Sequence, residues 1–122
     1  MEPKRIGEHL VSLSTEQRFI DAIAEYYSED IVNVETNPVT GRSEETRGID
    51  EIRAKCVRWL EDHEIHSVSA EGPLVGRDSF SILYDFDFTE THGQAAGQRR
   101  RVRQLALYKT RHGKIVREER FS

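Results

Sequence analysis

Residues 80–88 read Phe80-Ser81-Ile82-Leu83-Tyr84-Asp85-Phe86-Asp87-Phe88. Every even position carries an aromatic or branched apolar side chain, and the odd positions carry Ser81, Leu83, Asp85 and Asp87. Successive side chains of a strand point to opposite faces, so this stretch predicts a long strand with one aromatic face buried and one acidic face outside. Its neighbours read the same way. Residues 65–75 predict a strand ended by Gly76-Arg77-Asp78, and residues 99–110 another after the Gly/Ala/Gln turn His92 to Gly97. His112-Gly113 closes a tight hairpin onto a last strand over 114–121.

Towards the N-terminus the period changes to that of a helix. Ile49, Ile52, Cys56, Trp59, Leu60 and His63 form one stripe behind Gly48, with Asp50 and Glu51 at the positive end of the helix. Phe19, Ile23 and Tyr26/Tyr27 form a second stripe. Ser14 reads as the N-cap of that helix, and Gln17 completes a capping box. Residues 4–12 predict a short first helix, Ile31 to Glu35 a short β-branched strand, and Thr36 to Arg47 a loop. Helices concentrated in the first half and strands in the second define an α+β fold, with helices packed on a strongly curved mixed or antiparallel sheet.

The composition narrows the function. A chain of 122 residues suits one domain, 1–122, around a single core. With 36% hydrophobic and 33% charged residues, that core has to sit in a few well-patterned elements. A net charge of −4 argues against nucleic acid as partner. No apolar run is long enough to cross a bilayer, and no signal-type apolar segment follows the charged start. A single cysteine, Cys56, rules out an internal disulfide and suits a reducing, cytoplasmic setting.

Three stretches, in this order and spacing, resemble the SnoaL-like family of the nuclear transport factor 2-like superfamily. They are Asp21 to Glu35 (helix, aromatic pair, acidic turn, strand), Gly48-Ile-Asp-Glu-Ile52, and Leu105 to Glu119 with its Gly113-Lys114-Ile115 hairpin. The resemblance spans about residues 15–122. It implies a cone of helices closed by a curved sheet around a hydrophobic pocket, and homodimerisation through the convex sheet face. The superfamily holds isomerases, polyketide cyclases, dehydratases and epoxide hydrolases as well as transport and assembly domains, so fold alone does not select an activity. Two departures stand out. An isomerase-like acidic residue before proline is replaced by Asn37, and a cyclase-like aspartate in the penultimate strand falls at Ala106.

Pairing across the hairpin in simple register puts Tyr108 near Arg117, Ala106 near Glu119 and Gln104 near Phe121, on the face that the resemblance makes the pocket; a bulge would reverse the last strand. Glu35 and Glu119 are then the candidate acid–base residues, because burial raises a carboxyl pKa towards the working pH. Tyr27, Trp59, Tyr84, Phe86, Gln104 and Tyr108 are the candidate ligand-binding residues. Glu119 paired with Arg117, Glu35 at a solvent-facing rim, and aromatics serving as plain core are the structural readings of the same residues. His63-Glu-Ile-His66 straddles a helix-to-strand junction and lacks metal-site spacing, so neither metal nor cofactor is expected. Arg99, Arg101 and Arg103 share a face with Leu105 and Leu107, opposite Asp85 and Asp87, which predicts cross-strand ion pairs. The expected ligand is a small apolar organic molecule, bound by a homodimer whose chemistry is cofactor-free isomerisation, cyclisation or dehydration; non-catalytic binding or assembly on the same fold is the alternative.

Overall fold

The computed structural model describes residues 2–122. The elements run α1 (Glu2–Thr15), α2 (Phe19–Tyr26), β1 (Tyr27–Thr36), β2 (Ser43–Arg47), α3 (Ile49–Asp62), β3 (His63–Val75), β4 (Ser79–Glu90), β5 (Arg99–Arg111) and β6 (Lys114–Phe121). The strands make one six-stranded sheet in the order β2-β1-β6-β5-β4-β3. β1 lies parallel to β6 and every other neighbouring pair is antiparallel, so the sheet is mixed. Three helices on this sheet give the expected α+β cone.

The alternation in β4 works as read. Phe80, Ile82, Tyr84, Phe86 and Phe88 are all buried on the concave face. Ile6, Leu10 and Leu13 of α1 and Ala22, Ile23 and Tyr26 of α2 pack into the same core. Phe80 stacks on Tyr108 at 4.8 Å between ring centres, joining β4 to β5. Each such fully buried side chain contributes on the order of 1.5–3 kcal/mol. On the convex face the acid–arginine pairing also appears: Arg99 bonds Asp87 at 2.8 and 2.9 Å, and Arg103 bonds Asp85 at 3.2 and 3.3 Å.

Three readings are corrected. Ser14 is no N-cap: it is a buried residue of α1. The helix ends instead in a Schellman motif, with Gln17 at φ 62°, its N–H donating to the Ser14 carbonyl and the Arg18 N–H to the Leu13 carbonyl. Residues 43–47 form β2 against β1 rather than loop. This exposed edge strand, Ser43-Glu-Glu-Thr-Arg47, has no apolar alternation to announce it. The third correction concerns β6, whose pairing with β5 shifts between Lys109 and Thr110. Thr110 sits opposite Ile115 and Lys109 opposite Arg117, so Val116 is an extra residue in β6 and every side chain after it changes face.

α1 approaches the sheet through Gly7, where an added Cβ would lie 2.8 Å from two ring carbons of Pro73 and 3.0 Å from Phe80. Helix propensity alone favours Gly7→Ala by about 1 kcal/mol. The contact reverses the sign: Gly7→Ala is expected to lower stability by about 1–3 kcal/mol in denaturant titration, because the proline ring cannot rotate away.

Candidate functional site

The helices do not fill the cone. α3 carries the predicted stripe, yet of its residues only Ile52 is fully buried; Cys56 and Trp59 are half-buried and face a cavity of about 280 Å³. The walls are mostly apolar, from Leu10, Phe19, Ile23, Ile52, Phe86 and Phe88. The polar groups gather at two places.

The inner group is built on β6. Reversed by the bulge, Glu118 and Arg120 point into the cone, and Glu118 is 3% exposed. Its carboxylate accepts hydrogen bonds from Tyr27 Oη, from Asn33 Nδ2 at 2.6 Å and from Arg120 Nη2 at 3.1 Å. Arg120 also donates to Gln104 Oε1 at 2.7 Å and, more weakly, to Tyr108 Oη at 3.5 Å, and its guanidinium lies 5.5 Å from the centre of the Tyr84 ring. The Tyr84 and Tyr108 hydroxyls share a 2.8 Å hydrogen bond. β1 supplies Tyr27 and Asn33, β4 supplies Tyr84, β5 supplies Gln104 and Tyr108, so four adjacent strands converge on one ion pair. The outer group is Glu35 with Lys55 of α3, 3.3 Å apart and both partly exposed.

Burial and charge set the protonation states. Burial pushes the Glu118 carboxyl up, but the Arg120 charge and the hydrogen bonds from Arg120, Tyr27 and Asn33 outweigh it, and its pKa ends below the ordinary 4.5. Burial and the adjacent Glu118 charge hold the Tyr27 phenol well above its ordinary 10. Burial likewise raises Tyr84, Tyr108 and the Cys56 thiol. At neutral pH the site therefore holds a carboxylate, a guanidinium and neutral phenols. Asn33 Oδ1 is the one buried side-chain oxygen or nitrogen without a hydrogen-bond partner among the described residues, because Asn33 spends its amide donor on Glu118. An unmet buried acceptor costs about 1–3 kcal/mol until a donor reaches it.

Of the residues expected at the pocket, Glu35, Tyr27, Trp59, Tyr84, Phe86, Gln104 and Tyr108 line the cavity. Glu119 does not. It lies on the convex side, opposite Leu107, and accepts a 2.7 Å bond from Arg117. The residues missed are Asn33, Glu118 and Arg120. Asn33 was within reach, since it shares the parity of Ile31 and Glu35 in β1. Nothing in Lys114 to Phe121 marks the bulge, as Ile115-Val116 are adjacent apolar residues and the four that follow, Arg117 to Arg120, are all charged. At the two departures, Asn37 Oδ1 accepts the Val39 and Thr40 amides in the β1–β2 loop, and Ala106 is fully buried. His63 stacks on Trp59 at 4.6 Å and bonds the Trp59 carbonyl, while His66 bonds Thr89, so the two imidazoles do not converge.

A family model described as SnoaL-like domain matches residues 1–122. No curated protein matches the chain. Among solved structures, a candidate SnoaL-like polyketide cyclase from Mesorhizobium loti is 28% identical, with TM-score 0.86 and 100% of each chain covered. A candidate SnoaL-like polyketide cyclase from Jannaschia sp. CCS1 is 13% identical, with TM-score 0.77 over 99% of this chain and 88% of that one. A hypothetical protein with a ketosteroid isomerase-like fold from Catenulispora acidiphila is 15% identical, with TM-score 0.72 over 96% of this chain and 84% of that one.

The Glu118 shift fixes a pH dependence. Its folded pKa lies below its unfolded value, so the stability it contributes is complete above about pH 4.5 and is lost as pH falls through the folded value. Unfolding titrations between about pH 7 and about pH 3 should show that loss, and Glu118→Gln should flatten it. At neutral pH the same variant should be less stable by about 3–5 kcal/mol, since Arg120 then stays buried without its counter-charge.

Proposed function

The chain belongs to the SnoaL-like domain family, and from that premise we propose that its cone binds a small, largely apolar organic molecule and moves a proton on it without a cofactor. One observation carries the reading: a mostly apolar cavity holds at its inner end a single buried carboxylate, ionised at neutral pH and gripped by Arg120, Tyr27 and Asn33. A ligand oxygen set against Arg120 puts the carbon next to it near Glu118. Withdrawal of a proton from that carbon by Glu118 leaves enolate charge on the oxygen, beside the guanidinium that stabilises it. This is the common first step of isomerisation, of cyclisation through a carbanion and of dehydration. Glu35 is the rim carboxylate in this reading, held by Lys55, and Glu119 has no part in it.

A second reading has its own support. Glu118 already has three protein partners and a depressed pKa, which weakens it as a base. A cavity that binds without catalysis would look the same.

The convex face is the place for a second copy of the chain. Leu105, Leu107 and Phe121 are each 41–44% exposed there, among arginines and aspartates of both signs, a patch able to complement itself across a twofold axis. The lone Cys56 fits a reducing, cytoplasmic-type compartment. Among the described residues no helix is long and apolar enough to cross a membrane.

Thermal melting against a panel of small ketones, alcohols and acids tests the pocket, and deuterium uptake beside the carbonyl of each bound ketone tests proton transfer. Glu118→Asp keeps the charge opposite Arg120 but draws the carboxylate back; exchange should fall at least about tenfold while ligand stabilisation persists. Glu119→Gln should change neither. Stabilisation with no exchange for any ketone leaves the binding-only reading, and no stabilisation by any compound removes the pocket. In sedimentation velocity the protein should run as a dimer and Leu107→Asp as a monomer.

A further inference from the structure

The ligand class can be narrowed, on the premise that the cone is a ligand site. The cavity volume of about 280 Å³ has room for about ten water-sized groups at roughly 30 Å³ each. At the same scale a fused four-ring skeleton exceeds the enclosed space and would project through the open end beside Glu35 and Lys55. The charged residues lining the cavity are Glu118, Arg120, Glu35 and Lys55, and they fall into two opposed pairs at 3.1 and 3.3 Å. A carboxylate entering beside Arg120 also meets Glu118, and an ammonium entering beside Glu118 also meets Arg120. Neither finds an uncompensated partner, and each surrenders its hydration to enter.

The hydrogen-bonding capacity left over points the same way. Arg120 uses Nη1 once and Nη2 twice, so its Nε–H and one Nη1–H have no protein acceptor among the described residues. One fifth of its side-chain surface stays exposed, and the residue lines the cavity. The Glu118 carboxylate, by contrast, already accepts three hydrogen bonds. The inner end thus offers two free Arg120 donors to an acceptor oxygen beside one unmet acceptor, Asn33 Oδ1, with Trp59, Phe86 and Phe88 offering ring faces and edges to the apolar body.

We infer that the cone selects a neutral molecule of one or two rings, or an open chain of similar size, that carries one acceptor oxygen of the ketone, lactone or amide class. Carboxylates are excluded by the paired charges, and a four-ring skeleton is disfavoured because part of it would stand in solvent beyond Glu35 and Lys55.

Titration calorimetry on the unmodified protein at neutral pH tests this with four probes: 1-tetralone, its parent hydrocarbon tetralin, the tetralin carboxylate, and a four-ring steroid ketone. 1-Tetralone is expected to bind saturably, tetralin and the carboxylate each about tenfold or more weaker, and the steroid ketone more weakly than 1-tetralone. Tightest binding by the steroid ketone, or a carboxylate that matches the ketone, overturns the class while leaving the cone a ligand site. Equal binding of tetralin and tetralone overturns the role of the Arg120 donors. If none of the four binds, and melting against the wider panel is flat as well, the pocket and the class fall together.

Discussion

A buried ion pair in a mostly apolar cone has to be held from several sides at once, and the Glu118–Arg120 pair organises this molecule in that way. Taking two charges out of water costs several kcal/mol per ion, and their attraction repays it only when the remaining hydrogen-bonding groups are satisfied as well. The partners come from β1 (Tyr27 and Asn33) and β5 (Gln104 and Tyr108), with the Tyr84 ring of β4 near the guanidinium. Satisfying one pair therefore locks the register of β6 between its two neighbours and ties the parallel β1–β6 seam to the antiparallel meander. The same network fixes the protonation states, because Arg120 and the three hydrogen bonds keep Glu118 ionised against the pull of burial.

The cavity has an equally local cause. α3 presents a full amphipathic stripe, but its middle residues, Cys56 and Trp59, stay half-buried: Trp59 packs edge-on against Phe86 and Phe88, and both residues line the open space beside them. The sheet curves away, and the space between is lined rather than filled. The cone is closed at one end by a charged network and open near Glu35 and Lys55. The structural relatives share the fold at 12–28% identity under names ranging from cyclase to isomerase to unknown function, so the chemistry has to be argued from these side chains and not from the architecture.

Most of the architecture was legible in the sequence, and for one reason: period-two and period-3.6 patterns survive wherever an element has one apolar face. β4 is the clearest case, and its alternation alone assigns the concave wall. The cross-strand pairs of Asp85 and Asp87 with arginines followed from the same parity. Where an element has no apolar face the pattern is silent, and β2, an exposed strand of Ser, Glu, Thr and Arg, went unread as a strand. The end of α1 was misread because Ser14 and Gln17 fit two capping motifs equally well in sequence. Burial of Ser14 under the helix and the left-handed Gln17 decide between them.

The site divides along the same line. Seven of the eight residues expected at the pocket line the cavity, since each sits on an element whose parity was readable. The eighth, Glu119, and the unforeseen pair Glu118 and Arg120 differ by a single inserted residue at Val116. Sequence alone determined that β6 carries a run of four charges, Arg117 to Arg120, next to a hairpin; it contains no apolar rhythm after Val116 to say which of them turn inward. Only the tertiary structure decided that. Glu118 and Arg120 find buried partners on β1 and β5, Glu119 finds Arg117 at the surface, and the bulge is the local distortion that lets both happen.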